Sequence, residues 1–100
     1  MIYTIDDLKT NVSAVADKYD IQKIFLFGSY FDHIPNENSD INLLVKYGIN
    51  CRGLNRIKFM NDLERQLKKE VDVINIDFAP EFITTLDLTD EGRKIYERWR

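Results

Sequence analysis

The spacing of apolar residues along the chain predicts three helices. The first begins after Thr4, which is suited to cap a helix and is followed by acids that favour the first turn. The second is expected over residues 54–69. The third is expected over residues 90–99, where Ile95 and Trp99 are four positions apart and share a face. The positions expected to face inward are Leu8, Val12, Val15, Ala16 and Tyr19 in the first helix and Leu54, Ile57, Met60, Leu63 and Leu67 in the second.

Three shorter runs predict strands. Residues 21–27 and 41–45 carry consecutive apolar residues, as buried strands do, whereas residues 71–76 carry the polar Asp72 and Asn75 among four β-branched apolar residues. Glycine and asparagine within residues 48–53 mark a turn before the second helix. The order of elements predicts a small α/β (α+β) fold, in which a mixed three-stranded sheet is flanked by helices. Residues 1–100 are expected to form one domain.

The composition narrows the class of protein. No stretch approaches the ~20 consecutive apolar residues of a membrane span, so no membrane association is expected. Cys51 is the only cysteine, so no internal disulfide can form, and the reducing cytoplasm is the expected location. One cysteine and one histidine, His33, are too few for a zinc cluster. The formal net charge of -3 argues against direct nucleic-acid binding through phosphates.

The charges are unevenly distributed along the sequence. Residues 41–61 contain four basic residues and no acid, whereas residues 70–91 contain seven acids and no lysine or arginine. The two segments could be solvated faces of opposite charge, or they could form an anion-binding rim and an acidic, partner-facing edge. Arg52 and Arg56 are candidate phosphate contacts on the second interpretation, although a solvated surface role is the simpler assignment for each.

Polar residues interrupt the strands at three points and suggest a site. Gly28 and Ser29 follow the first strand, where glycine permits a sharp turn and serine offers a hydroxyl and an N–H to an anion. Asp40 and Asn42 stand two apart at the start of the second strand, so their side chains share a face. Asp72 interrupts the third strand between two valines. These oxygens would suit a hard cation such as Mg²⁺; the simpler alternative is that both acids lie at strand ends in contact with water.

The combined pattern resembles the minimal nucleotidyltransferases of the DNA polymerase beta superfamily. Gly28 and Ser29 are followed, after ten residues, by Asp40 and Asn42 ahead of an aliphatic run. The family has Asp-x-Asp at this place and a third aspartate on a later strand, which Asp72 matches in order and context. The resemblance covers nearly the whole chain and implies the small nucleotidyltransferase fold.

The resemblance also implies an activity, which is transfer of a nucleoside monophosphate from a nucleoside triphosphate, with ATP favoured, to a hydroxyl acceptor. It implies a site for two Mg²⁺ ions, with Asp40, Asn42 and Asp72 as metal ligands and catalytic residues. Asp72 would also take the acceptor proton, and Gly28 and Ser29 would bind the terminal phosphates. Small members of this type resemble the antitoxins of toxin–antitoxin pairs, whose partner is an all-helical HEPN ribonuclease that carries the acceptor tyrosine.

The sequence departs from the family pattern at three positions. Asp32 stands where the family commonly has a phosphate-attracting arginine, and His33 stands where it has a glycine. Asn42 replaces the second metal-binding carboxylate, which keeps an oxygen ligand but removes one negative charge. At an effective dielectric constant near 20, a pair of unit charges about 4 Å apart contributes roughly 4 kcal/mol. Because the metal ions chiefly stabilise the charge of the transition state, losing this carboxylate should lower the reaction rate more than the stability of the fold. The alternative function is a catalytically degenerate nucleotidyltransferase that acts as a protein-binding, antitoxin-like module.

Overall fold

The computed structural model describes residues 3–27, 40–78 and 94–98, which form an α+β fold with two helices and a four-stranded mixed sheet. The elements in chain order are α1 (Ile5–Ala16), β1 (Ile21–Phe27), β2 (Ile41–Tyr47), α2 (Leu54–Leu67), β3 (Val71–Asn75) and β4 (Lys94–Glu97). A single 3₁₀ turn, Ile76–Phe78, follows β3. Neither of the helices in these ranges is long and apolar enough to cross a membrane.

Helix α1 begins where the sequence predicts it, because Thr4 and Asp7 form a capping box. The Asp7 N–H donates to the Thr4 hydroxyl oxygen at 3.0 Å, and the Thr4 N–H donates to Asp7 Oδ2 at 3.2 Å. Tyr19, from the turn that follows α1, packs half-buried against the same core. The predicted inward face is confirmed within the helix by its buried residues, which are Leu8, Val12, Val15 and Ala16.

The sheet has the strand order β3-β2-β1-β4. Strand β1 is antiparallel to both of its neighbours, whereas β2 and β3 are parallel and joined by α2. Both helices pack on one face of the sheet, where they enclose the main core with alternate strand residues such as Ile24 and Leu43. On the other face, Phe25 and Leu44 form a smaller buried cluster. The sheet therefore has a helix-covered face and an opposite face with its own apolar cluster.

The predicted three-stranded sheet and the predicted helix over residues 90–99 are both wrong where the structure tests them, since Lys94–Glu97 is a fourth strand. This strand pairs with the edge of β1 that β2 does not occupy, and both Ile95 and Tyr96 are buried. Pairing satisfies the buried backbone groups, which outweighs the weak helical preference of so short a segment. Trp99, the other residue of the predicted helix face, lies outside the described residues.

The predicted inward face of α2 is wrong in its first half. Leu63 and Leu67 are buried as expected, but the third buried residue of the helix is Phe59. Leu54 and Ile57, which were expected to face the core, are 72% and 52% exposed. The helix therefore has an apolar stripe that it does not bury.

The ring of Phe59 accounts for this orientation. It packs edge to face against Tyr19 and Tyr47, with ring centroids 5.5 and 6.2 Å away. A buried aromatic ring contributes a large apolar area, and its edge-to-face contacts add about 0.5–1.5 kcal/mol each. Turning Phe59 inward thus stabilises the fold more than burying a leucine at the first position of the helix.

Candidate functional site

Three of the polar residues singled out in the sequence, Asp40, Asn42 and Asp72, lie at one end of the sheet, where β1 ends and β2 and β3 begin. In the parallel pairing of β2 with β3, Asn42 lies opposite Asp72. In the antiparallel pairing of β1 with β2, Asn42 lies opposite Phe27. Asp40 immediately precedes β2. Because paired strands are about 4.8 Å apart, the structure places the backbones of these predicted site residues side by side.

The side chains of the site lie on the sheet face away from the helices. Ile41 and Val71 belong to the core beneath the helices, and successive residues of a strand point to opposite faces. Asn42 and Asp72 therefore share the other face. Asp40 immediately precedes β2, two residues from Asn42, and the alternation of the strand extended by one residue puts its side chain on the same face. Two carboxylates and one amide thus project together from neighbouring strands.

Both carboxylates are accessible. Asp40 and Asp72 are exposed, and Asn42 is half-buried. Within the part of the chain that the structure describes, neither aspartate forms an ion pair or a side-chain hydrogen bond. A cation that bound here would not have to displace either aspartate from a partner among residues 3–27, 40–78 and 94–98.

The oxygen donors of the site fit Mg²⁺ in kind but are few in number. Mg²⁺ prefers hard oxygen ligands and keeps several of its waters, so two carboxylates and an amide oxygen are suitable. The described residues contain no group of three or more His, Cys, Asp or Glu side chains placed to hold a metal. Asn42 would have to supply the third protein oxygen. Gly28, Ser29, Asp32 and His33 lie outside the described residues.

Two glutamates that the sequence analysis did not single out hold the start of β3, one to α2 and the other to β2. The Val71 N–H donates to Glu64 Oε2 at 3.1 Å, and the Ile41 N–H donates to the Glu70 carbonyl at 3.2 Å. Lys68 ends α2 in the left-handed conformation with φ 55°, which reverses the chain tightly into β3. A contact from a helix side chain to a strand amide seven residues later has no periodic signature, so the sequence gives no sign of it.

Asp40 and Asp72 are here called the acid pair, and Arg52 and Arg56 do not border it. Tyr47 ends β2 at the far end of the strand from Asn42, roughly 16 Å away at about 3.3 Å per residue. The Arg56 guanidinium carbon lies 4.4 Å from the centre of the Tyr47 ring, and its Nε donates to the Cys51 carbonyl at 2.9 Å. Arg52 precedes α2 at this same end. The structure therefore gives no support to phosphate contacts by Arg52 and Arg56 at the acid pair.

Comparison with known proteins identifies a family. Residues 10–100 match the family model described as polymerase beta, nucleotidyltransferase. A protein of Methanocaldococcus jannaschii, MJ0435, is named as a protein adenylyltransferase. It is 33% identical over 70 residues, which cover 70% of this chain and 75% of that protein.

Solved structures share the fold. A toxin–antitoxin complex with AMP-PNP contains a chain that matches with a TM-score of 0.71 and 21% identity, over 90% of this chain and 73% of that chain. A minimal nucleotidyltransferase matches with a TM-score of 0.68 and 21% identity, over 81% and 86% of the two chains. The toxin–antitoxin MntA-HepT matches with a TM-score of 0.62 and 18% identity, over 90% and 70%. The fold is therefore that of the small nucleotidyltransferases, and by its family match and its M. jannaschii relative the chain belongs to the polymerase beta nucleotidyltransferase family.

Proposed function

We propose that this chain transfers a nucleoside monophosphate from ATP to a hydroxyl group of a protein acceptor. The observation that carries the proposal is the register of β2 and β3, which sets Asp72 beside Asn42 on the face that also carries Asp40. The reaction class is supported by the M. jannaschii relative, which is named as a protein adenylyltransferase. The choice of ATP is supported by the similar toxin–antitoxin structure that contains AMP-PNP, an analogue of ATP.

Each site residue has a distinct proposed role. Asp40 and Asp72 would hold Mg²⁺ through their carboxylates and Asn42 through its amide oxygen. When bound, Mg²⁺ would neutralise phosphate charge and act as a Lewis acid, with a second ion expected from the family. Asp72, exposed at the start of β3, would also accept the proton of the attacking hydroxyl. Gly28 and Ser29 would contact the terminal phosphates, since they directly follow β1, whose last residue is paired with Asn42.

The proposed acceptor is a tyrosine of a helical HEPN-type toxin, with this chain as the antitoxin of the pair. Two of the similar solved structures are toxin–antitoxin complexes, which supports a protein partner. The cytoplasm is the proposed location, because the single cysteine, Cys51, is free and buried and no disulfide supports the fold.

A second candidate function is a nucleotidyltransferase-like binding module without turnover. Asn42 favours it, because an amide oxygen carries no full charge with which to offset that of a metal ion. The absence of a three-acid metal group among the described residues points the same way. In this case nucleotide would stabilise the antitoxin without being consumed.

Calorimetric titration of Mg-ATP into the purified chain tests the site. Asp40→Ala and Asp72→Ala should each abolish binding. Asp6→Ala removes another exposed acid, from α1, and should leave binding unchanged, which controls for net charge. Asn42→Asp should bind more tightly because it restores a third carboxylate. If neither the unaltered chain nor Asn42→Asp gives a binding signal, the nucleotide proposal is overturned.

Transfer is tested separately by incubating the purified chain and a purified helical HEPN-type toxin with ATP that is radiolabelled at the α-phosphate. Label that appears on the toxin and is lost in Asp72→Ala supports the enzyme. Metal-dependent binding of ATP with no label on the toxin, in both the unaltered chain and Asn42→Asp, supports the binding module and overturns the transferase.

A further inference from the structure

Exposed apolar side chains occur in the loop that leads into α2 and in the first turn of that helix. Of the four large apolar side chains that are exposed in the described residues, three lie in this stretch: Ile49 at 80%, Leu54 at 72% and Ile57 at 52%. Leu54 and Ile57 are three residues apart on the helix and are neighbours on its surface. The core contacts of α2 come from another side of the helix, which carries Phe59 and Leu63. Folding therefore does not require these apolar residues.

The same end of α2 carries positive charge. Arg52 and Lys58 are exposed, and residues 41–61 contain no acid. The first turn of α2 has no acidic residue, and its N-cap, Gly53, has φ +61° and no side chain to accept a hydrogen bond. Cations near a helix N-terminus are unfavourable by about 0.3–1 kcal/mol each, because the helix dipole is positive there. Helix stability alone therefore does not account for this charge pattern.

We propose that these residues form a docking surface for a protein partner whose own surface is an apolar ridge bordered by aspartate and glutamate. The surface, here called the α2 N-terminal surface, consists of Ile49, Arg52, Leu54, Ile57 and Lys58. Its apolar residues would contact the ridge, while its cations and the positive helix end attract the acids. It lies at the opposite end of the sheet from the acid pair, so a docked partner leaves the nucleotide site open. The proposal is independent of the proposed transferase activity.

Two synthetic helical peptides of about four turns serve as the probe. Both carry the same leucine stripe, and the flanks of the stripe are glutamate in one and lysine in the other. NMR titration of the isotope-labelled chain reports which backbone amides each peptide perturbs. The glutamate peptide should perturb residues 49–58 and bind roughly tenfold more tightly than the lysine peptide, with the difference shrinking as salt is added.

Paired variants separate the apolar contribution from other effects. Leu54→Gln combined with Ile57→Gln should abolish peptide binding and leave the melting temperature and Mg-ATP binding unchanged, since both side chains are exposed. Phe78→Gln is the matched control, because Phe78 is 82% exposed and lies outside the surface. It should bind the glutamate peptide like the unaltered chain.

A second pair tests the charges. Arg52→Glu combined with Lys58→Glu should reverse the preference in favour of the lysine peptide. Lys9→Glu combined with Lys18→Glu makes the same change in net charge on exposed positions of α1 and its following turn, and should not alter the preference.

Equal binding of both peptides, or amide shifts that map elsewhere, would overturn the proposal. Shifts of residues 49–58 that depend on protein concentration without peptide would make a second copy the occupant and would also overturn it.

Discussion

Replacing Gly48 with alanine tests how the loop after β2 is held. A β-carbon at this residue would overlap the carboxylate of Asp20, which occupies the space beside the Gly48 backbone. That carboxylate accepts a hydrogen bond from the Asn50 N–H at 2.8 Å and forms an ion pair with Arg98. The Gly48 N–H also donates to the Asp20 carbonyl at 2.8 Å. Asp20 thereby joins the turn after α1, the loop after β2 and the residue that follows β4.

The expected change in the free energy of unfolding follows from the contacts that the displaced carboxylate loses. The Asp20 side chain is only 18% exposed, and losing one hydrogen bond to a charged group costs about 1.5–3 kcal/mol. Gly48 does not have a positive φ, so its backbone conformation suits alanine, and the lower entropy of the unfolded chain offsets about 0.4–1 kcal/mol of that cost. Gly48→Ala should therefore destabilise the fold by about 1–2 kcal/mol. For a domain of this size that lowers the melting temperature by roughly 5–15 °C.

A double-mutant cycle identifies the cause. Asp20→Ala alone should destabilise the chain by a similar amount, because it removes the same contacts. In the Asp20→Ala background, Gly48→Ala meets no carboxylate and should be neutral or slightly stabilising. Urea denaturation followed by circular dichroism then gives a coupling energy of about 1–2 kcal/mol. If Gly48→Ala costs the same in both backgrounds, the overlap with Asp20 is not the cause and the reasoning fails.

Three further changes test other parts of the molecule. Thr4→Ala removes the capping box of α1 and should lower the free energy of unfolding in urea by about 1 kcal/mol, whereas Thr4→Ser should retain most of it. Burial, followed by the hydrogen bond to Asp17, raises the pKa of Tyr96 from 10.0 to about 12. As the pH rises between these two values, the unfolded chain loses the tyrosine proton before the folded chain does, so the free energy of unfolding falls. Tyr96→Phe should make the fall of melting temperature over this range shallower, and an unchanged slope would count against the assignment. Asn42→Asp should lower the melting temperature in EDTA, because three carboxylates then share one end of the sheet. It should also increase the rise in melting temperature that Mg²⁺ causes. A higher melting temperature in EDTA together with a smaller rise in Mg²⁺ would contradict a shared cation site.

The elements that could be predicted from the sequence are those with a strong local pattern. The capping box at Thr4 fixes the start of α1, and the apolar runs fix β1 and β2. Strand β4 could not be predicted, because four residues carry too little periodicity and their conformation depends on pairing with β1. The orientation of α2 could not be predicted, because Leu54, Ile57 and Phe59 fit two overlapping helical stripes. Tertiary contacts of the Phe59 ring decide between these stripes.

The candidate site was partly predictable for a related reason. The two-residue spacing of Asp40 and Asn42 places both on one face of any strand. The position of Asp72 beside Asn42 is a matter of strand register, which depends on the length of α2 and on the tight reversal at Lys68. The sequence marks Asp72 as a polar residue between two valines, but not its position opposite Asn42. The positive charge of the α2 N-terminal surface is visible in the sequence as the basic segment 41–61. Its apolar part is not, because the exposure of Leu54 and Ile57 is known only once Phe59 is placed.

The acid pair occupies an unusual end of the sheet for a phosphate ligand. In most open α/β sheets ligands bind at the carboxyl ends of the strands, where helix N-termini attract anions. Here Asp40 and Asp72 lie at the amino ends of the parallel strands, near the C-terminus of α2, where the helix dipole is negative. Lys68 and Lys69 offset part of this charge, and Glu70 adds to it.

ATP binding should therefore depend on a divalent cation. A bare triphosphate that approaches the carboxylates of Asp40 and Asp72 meets like charge, whereas Mg²⁺ can be held by the aspartates and the phosphates together. In EDTA the affinity for ATP should fall by at least roughly tenfold, a loss of about 1.4 kcal/mol. Asp40→Asn should reduce the difference between Mg²⁺ and EDTA, because it removes both the repulsion and a metal ligand. Equal affinity with and without the cation would mean that the phosphates are held elsewhere, and the cation site proposed for Asp40, Asn42 and Asp72 would be wrong.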